Sequence, residues 1–141
     1  MTNKAAVIIL INEGLVLGVS RRHDKTKFGL PGGKRNIGEL LDITAVRELE
    51  EETGLFVDPN RLNYIYSRNE PAEKSGGEDF YCECFYALSW SGKIKPEVGL
   101  IVKWVPMKFL CDPKTAAFAI YNQNTFESFK DKLPGVYKTL I

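Results

Sequence analysis

Residues 33–55 read GKRNIGELLDITAVRELEEETGL, and the second half of this segment has the composition of an amphipathic helix. At about 100° of rotation per residue, Glu48, Glu51 and Glu52 project from the helix within an arc of roughly 100°. An apolar stripe runs beside them and consists of Ala45, Val46 and Leu49. The spacing therefore predicts a helix that packs one face into a core and presents three carboxylates next to that face.

The three carboxylates predict a metal site. Like charges at these spacings cost a few tenths of a kcal/mol per pair in an isolated helix. A hard divalent cation such as Mg²⁺ or Mn²⁺ would reverse that penalty. An acidic run is also typical of a solvated helix face, and this is the interpretation for Glu50, which points away from the other three. Arg47 supplies a positive charge that can orient the cluster.

Strand and turn patterns surround this helix. Alternating and β-branched runs predict strands at 4–11, 15–20, 62–68, 79–90 and 100–105. The turn residues Asn12, Glu13 and Gly14 predict a hairpin between the first two strands. A polar loop is expected at 70–78, and an amphipathic helix at 125–133 with Phe126, Phe129 and Leu133 in the core. The sequence thus predicts an α+β fold with a mixed sheet between two helices.

The segment at 33–55 resembles the Nudix box, G-x5-E-x7-R-E-U-x-E-E-x-G-U, where U is an aliphatic residue. Every fixed position matches, namely Gly33, Glu39, Arg47, Glu48, Leu49, Glu51, Glu52, Gly54 and Leu55. The resemblance implies one Nudix hydrolase domain over residues 1–141. Its expected fold is the Nudix-type α/β/α sandwich, with a mixed β-sheet between helices.

The resemblance also implies a mechanism, which is hydrolysis of a phosphoanhydride with the help of Mg²⁺ or Mn²⁺. The metal ligands would be the three carboxylates together with the backbone carbonyl of Gly32, whose loop LPGGK permits close approach of the backbone. Arg47 would orient the cluster, and Glu48 is expected to be the general base. Glu97 is the reserve candidate for that role and a further metal ligand, with a solvated loop glutamate as the other interpretation. Glu39 is expected either to cap the helix or to support the site.

The order Arg-Arg, short loop, FGLPGGK is similar to the mutator-protein (MutT-like) branch of this family. Members of that branch hydrolyse oxidised guanine nucleoside triphosphates to monophosphates. The similarity implies arginines near the phosphates, an apolar lining for the base, and an asparagine amide that reads the purine. The residues expected in these roles are Arg21, Arg22, Phe28, Leu30 and Asn122. A helix cap is the other interpretation of Asn122, and Asn124 competes for either role.

The expected substrate is therefore a purine nucleoside triphosphate, oxidised or not, that is cleaved to the monophosphate and pyrophosphate. ADP-ribose, dinucleoside polyphosphates and nucleotide sugars are the alternative substrates. A catalytically silent nucleotide-binding module is an alternative of a different class. The unbroken carboxylate set argues against it, because a sensor has no need to retain a self-repelling cluster.

Length and charge restrict the partners. The 141 residues fit one domain, and 19 Lys and Arg against 18 Asp and Glu leave a formal net charge of +1. This balance argues against long nucleic acids and membranes as partners and favours a small nucleotide.

The three cysteines, Cys82, Cys84 and Cys111, are predicted to be buried thiols in a reducing compartment, the cytoplasm. No signal peptide is expected at the N-terminus, His23 is expected to be exposed without a catalytic part, and the chain is expected to be a monomer or homodimer.

Overall fold

The computed structural model describes residues 3–70 and 79–141. Within these ranges the strands are β1 (Asn3–Asn12), β2 (Leu15–Ser20), β3 (Phe28–Gly29), β4 (Gly32–Lys34), β5 (Asn63–Glu70), β6 (Phe80–Ala87) and β7 (Val102–Val105). The helices are α1 (Leu41–Thr53), α2 (Met107–Cys111), α3 (Ala119–Lys132) and α4 (Pro134–Lys138), with a 3₁₀ turn at Pro59–Arg61. No helix of the described ranges has the length and apolar character needed to cross a membrane.

The sheet is mixed, as predicted. Its strand order is β3-β2-β1-β6-β5, with β4 also paired to β1 and β7 also paired to β2. β1 and β6 run parallel from Asn3 opposite Phe80 to Leu10 opposite Ala87. The other strand pairs are antiparallel. β1 is thus the central strand from which both β2 and β4 are positioned.

Alternation along β1 divides the interior into two layers. Ala6, Ile8 and Leu10 pack on the side of α1, where Ala45, Val46 and Leu49 are buried as the helical stripe predicted. Ala5 and Ile9 pack on the opposite side, together with Phe126 and Phe129 of α3. This is the expected α/β/α sandwich, because each face of the sheet buries the apolar side of one helix.

The hairpin between β1 and β2 is confirmed, with Asn12 opposite Leu15. Its two central residues both have positive φ, 52° at Glu13 and 79° at Gly14. This is the backbone of the tight turn that matches the twist of paired strands. Gly14 also avoids a clash, since a Cβ there would lie 2.8 Å from the carbonyl oxygen of Thr139.

Several predicted boundaries were wrong. The strand predicted at 79–90 ends at Ala87, because the chain then turns so that Ser91 pairs with Phe56 in an isolated bridge. The strand predicted at 100–105 begins at Val102. The last long helix begins at Ala119, six residues before the predicted start at 125. β3, β4, α2 and α4 were not predicted, since each has at most five residues. Most of the polar loop predicted at 70–78 lies outside the described residues.

The buried thiols are confirmed for Cys82 and Cys84, which lie on one face of β6 and are 4% and 0% exposed. Cys111 at the end of α2 is only half-buried. No disulfide joins the three cysteines. Burial raises the pKa of the Cys84 thiol well above its ordinary value, so this thiol is a packing group rather than a nucleophile.

Candidate active site

The acidic side of α1 is as predicted, but its three carboxylates differ in environment. The side chain of Glu48 is 17% exposed and that of Glu51 is 53% exposed. Glu52 is half-buried, whereas Glu50 is exposed away from them. The site therefore has two shielded carboxylates and one at its rim.

Arg47 connects the acidic residues. Its Nη1 donates to Glu48 Oε1 at 2.8 Å and lies 3.2 Å from Glu51 Oε2. Its Nε and Nη2 donate to the two oxygens of Glu39 at 2.8 and 3.0 Å. Nη2 also donates to the Lys34 carbonyl at 3.0 Å, which ties the helix to β4. A guanidinium suits this position because its planar fork holds several carboxylates in fixed directions.

Glu39 does not cap the helix. The residue at the cap position is Leu40, which makes no side-chain capping hydrogen bond. Glu39 instead accepts from the Asn36 N–H at 3.0 Å and the Thr44 hydroxyl at 2.7 Å, besides the Arg47 fork. The Arg47 hydrogen bonds lower the pKa of Glu39 to about 2, so it is a permanent anion at neutral pH. Its role in the structure is to orient Arg47.

The two glycines of the LPGGK loop let α1 approach β4. A Cβ on Gly33 would lie 2.6 Å from the carboxyl carbon of Glu48, and one on Gly32 would lie 2.2 Å from the Ala6 carbonyl oxygen. The Gly32 N–H donates to Glu52 Oε1 at 2.9 Å. β4 pairs antiparallel with β1, and the carbonyl of Pro31 and the N–H of Arg35 form hydrogen bonds to β1. Because hydrogen-bonded positions alternate along such a pair, the N–H and the carbonyl of Gly32 both point away from β1. That direction fits its predicted part as a metal ligand.

Burial makes the shielded carboxylates hard to ionise. It raises the pKa of Glu52 to about 8, helped by the charges of Glu48 and Glu97 and opposed by the Gly32 hydrogen bond and by Arg22. Burial likewise raises the pKa of Glu48, against the hydrogen bond from Arg47. A cation beside these groups would remove both the desolvation and the repulsion penalties.

No three acidic, histidine or cysteine side chains of residues 3–70 and 79–141 stand together as a ready metal cage. Glu48 and Glu51 are instead held by Arg47. The donor set nevertheless fits Mg²⁺ or Mn²⁺, both of which prefer oxygen ligands. Within the described chain Oε2 of the half-buried Glu52 accepts no hydrogen bond, so it is a free donor to a cation.

Glu97 is brought to this site although it is 45 positions from Glu52 in the sequence. Gly54 ends α1 in the left-handed conformation, with φ of 81°. The chain that includes Lys95 and Glu97 then bonds back to the helix end, and the Glu97 N–H donates to the Glu52 carbonyl at 2.9 Å. The Glu97 carboxylate pairs with Arg22, whose Nη1 donates to the Val98 carbonyl at 3.0 Å. Glu97 and Arg22 therefore stand together at the edge of the site.

A cavity of about 470 Å³ opens beside the carboxylates, and Glu52 is part of its wall. Of the residues predicted to bind substrate, Arg21, Leu30 and Asn122 line it. Phe28 does not. It is 2% exposed and packs edge-on against Phe109, with ring centroids 5.5 Å apart. Burying a ring of this size in the core is worth roughly 1.5–3 kcal/mol, which explains why Phe28 is part of the core instead of the cavity wall.

The aromatic lining comes from residues that the sequence analysis missed, namely Phe80, Phe118 and Tyr121. Phe80 opens β6 and the other two lie around the start of α3. They are brought together only by the packing of α3 on the sheet, so no local pattern identifies them.

Asn122 lies inside α3 and not ahead of it, which makes the helix-cap interpretation wrong. It is 2% exposed. Its Nδ2 donates to the carbonyls of Leu110 at 2.8 Å and Ala117 at 3.2 Å. Both amide hydrogens are thereby used within the protein, and only Oδ1 remains for a ligand. The paired donor and acceptor expected from this amide is not available in this structure.

A second cleft, of about 640 Å³, adjoins the cavity and shares Ser20, Arg21, Glu52 and Ala117 with it. Its other lining residues are mostly cationic or polar and include Arg22, His23, Asp24 and Lys27. His23 is exposed as expected. The two spaces thus differ in chemistry, one partly aromatic and one basic, and they meet at Glu52.

Comparisons with known proteins give a family match and several relatives. A model of the NUDIX domain matches residues 1–125. A Bacillus subtilis protein named "Putative 8-oxo-dGTP diphosphatase" is 39% identical over 68 residues, which cover 48% of this chain and 46% of that protein. An ADP-ribose pyrophosphatase of Methanocaldococcus jannaschii is 36% identical over 61 residues, 42% of this chain and 36% of the relative. The chain spans less than half the length of these curated relatives.

Among solved structures, a MutT NUDIX hydrolase from Burkholderia pseudomallei shares the fold. The two structures superpose with a TM-score of 0.72 at 22% sequence identity, and the match covers 87% of this chain and 97% of the Burkholderia chain.

Proposed function

Because this chain belongs to the Nudix family, we propose that it is a pyrophosphohydrolase dependent on Mg²⁺ or Mn²⁺. We propose as its substrate a purine nucleoside triphosphate, with a normal or oxidised base, that is cleaved to the monophosphate and pyrophosphate. The observation that carries this proposal is the meeting of two chemically different spaces at Glu52. A base fits the partly aromatic cavity, and phosphates fit the basic cleft.

The basic cleft favours a triphosphate over ADP-ribose. Arg22 and Lys27 line it together with Asp24, and the two cationic side chains match the negative oxygens of a leaving pyrophosphate. The ribose phosphate of ADP-ribose carries less negative charge than pyrophosphate, and its hydroxyl groups would need hydrogen-bond partners in the cleft. Release of Arg22 from Glu97 would free both an arginine for phosphate and a carboxylate for metal.

The residues divide the proposed chemistry between them. Glu48, Glu51, Glu52, Glu97 and the carbonyl of Gly32 are the proposed metal-holding groups. When bound, the divalent ion would neutralise charge on the phosphate oxygens and lower the pKa of an attacking water. We propose that Glu48 accepts the proton from that water, since it lies one helical turn from Glu52, among the proposed metal-holding groups. Arg47 keeps Glu48 in position.

A panel of substrates tests the proposal. Purified protein with Mg²⁺ or Mn²⁺ is incubated with dGTP, 8-oxo-dGTP, dATP, dCTP, dTTP and ADP-ribose, and the products are separated by ion-exchange chromatography. We expect monophosphate and pyrophosphate in equal amounts, with purines cleaved faster than pyrimidines. Faster cleavage of ADP-ribose would establish the alternative substrate class. Turnover of none of these compounds, combined with nucleotide binding, would establish the silent module.

Arg47→Lys tests the connection between Glu39 and the carboxylates. Lysine keeps the charge but cannot hold Glu39 through two parallel bonds while also reaching Glu48. We expect kcat to fall about 10-fold, as is common when a group supporting a metal site is removed. The free energy of unfolding should fall by about 2 kcal/mol because hydrogen bonds to charged groups are lost. Steady-state kinetics and urea denaturation measure the two effects, and unchanged values for both would show that the network is dispensable.

We further propose that the protein acts in the cytoplasm on a small nucleotide as monomer or homodimer. The three cysteines form no disulfide with one another, which supports a reducing compartment.

A further inference from the structure

Phe118 has an unusual backbone. Its φ and ψ are 58° and 42°, in the left-handed region immediately before α3. Glu13 is the other non-glycine residue with positive φ in the described chain, and it lies in a hairpin turn. A bulky side chain in this region is strained, and such strain persists only where neighbouring structure enforces it.

The neighbouring structure holds Phe118 from both sides. On one side Ala116 pairs with Phe28 in an isolated bridge, and the Ala117 N–H donates to the Phe28 carbonyl at 2.9 Å. On the other side the Asn122 N–H donates to the Phe118 carbonyl at 3.0 Å, and its Nδ2 donates to the Ala117 carbonyl at 3.2 Å. The buried amide of Asn122 is thus a positioning group for this turn.

The strained backbone places an apolar ring at the surface, where it gains little from burial. Phe118 is 40% exposed, and it lines the cavity. The guanidinium carbon of Arg21 lies 5.4 Å from its ring centroid, and the Phe80 ring meets it edge-on at 6.4 Å. The wall of the cavity therefore brings together three groups that suit a planar ligand, namely the rings of Phe118 and Phe80 and the guanidinium of Arg21.

We propose that Phe118 is the platform on which the base of the bound nucleotide stacks, with Phe80 and Arg21 flanking it. Arg21 then acts on the base side of the site, and Arg22 is left as the arginine for the phosphates. This inference rests on the proposed function only in taking a nucleotide as the occupant of the cavity. Stacking on an aromatic ring is tolerant of base identity, so Phe118 would govern affinity for nucleotides in general.

Equilibrium binding separates stacking from a structural role. The probes are dGMP and 2-deoxyribose 5-phosphate, which lacks the base, and affinities are measured by calorimetry in the presence of Mg²⁺. Phe118→Leu keeps an apolar side chain and the backbone strain but removes the ring. We expect it to weaken dGMP binding about 10-fold, within the range of one base stack on one aromatic ring. Binding of deoxyribose 5-phosphate should not change.

Three further variants complete the design. Phe118→Tyr retains the ring and should bind dGMP like the unaltered protein. Phe118→Gly should lose affinity as the leucine variant does, yet melt at a higher temperature than that variant because glycine adopts positive φ without strain. Phe56→Leu is the matched control, since Phe56 is 41% exposed but lies outside the cavity lining. It should leave the affinity for dGMP unchanged.

The proposal is overturned if Phe118→Leu leaves dGMP affinity intact, or if it weakens both probes equally. It is also overturned if the unaltered protein binds dGMP no more tightly than deoxyribose 5-phosphate. Base-dependent binding without hydrolysis of any triphosphate would remove the proposed function and retain the stacking platform. Hydrolysis of triphosphates with no effect of Phe118→Leu on base-dependent binding would retain the proposed function and remove the stacking platform.

Discussion

Glu52→Gln is expected to lower kcat by roughly 10³-fold or more, because a metal ion supplies several kcal/mol of charge stabilisation and each 1.4 kcal/mol is a factor of ten. Glutamine is neutral and a poor ligand for Mg²⁺, but its side-chain oxygen can still accept the Gly32 N–H bond seen at 2.9 Å. The fold should therefore remain intact. Turnover is measured with the nucleotide that the unaltered protein cleaves best, and Mn²⁺ affinity by calorimetry.

Thermal unfolding of this variant is an informative control. In the metal-free protein the pKa of Glu52 is raised to about 8, above its value in the unfolded chain. Such a group opposes folding above the unfolded-state pKa, since the unfolded chain releases the proton more readily. Glu52→Gln should accordingly melt no lower than the unaltered protein at pH 7. Glu50→Gln, on the exposed side of α1, is the matched variant and should retain activity. Full turnover by Glu52→Gln would remove Glu52 from the metal site.

Gly33→Ala is expected to lower kcat about 10²-fold, which is the typical cost of moving a catalytic group by about 1 Å. The new methyl carbon would lie 2.6 Å from the carboxyl carbon of Glu48 and 2.8 Å from each of its oxygens. β4 cannot retreat easily because Gly33 is paired with Ala6 of β1. The Glu48 carboxylate must therefore move, and we expect this movement to disturb its hydrogen bond to Arg47.

The effect of Gly33→Ala is steric, because φ at Gly33 lies outside the left-handed region that excludes alanine. Gly135→Ala is the control, since a Cβ there meets no atom within 4 Å. Steady-state kinetics and melting curves of both variants are compared at one metal concentration. Normal kcat in Gly33→Ala would show that the observed place of Glu48 against β4 is not needed for turnover.

The sequence alone determined the box helix and much of the sandwich. Helical periodicity places Ala45 and Leu49 on one face and Glu48 and Glu52 beside it, and this follows from backbone geometry whatever the rest of the chain does. The apolar, β-branched run at 4–11 likewise predicts β1. These features are local, so they can be read from neighbouring residues.

Only the tertiary structure decided how the site is completed. Glu97 reaches Glu52 through a loop that bonds back to the end of α1, and Phe80 meets Phe118 because α3 packs on the sheet. Phe28, by contrast, is buried against Phe109 although its position in the sequence favoured the cavity. Contacts between distant residues depend on the total burial and hydrogen bonding of the folded chain, which no short segment encodes. For that reason the carboxylate side of this site, where we propose the metal, was predictable from sequence, and the cavity proposed for the base was not.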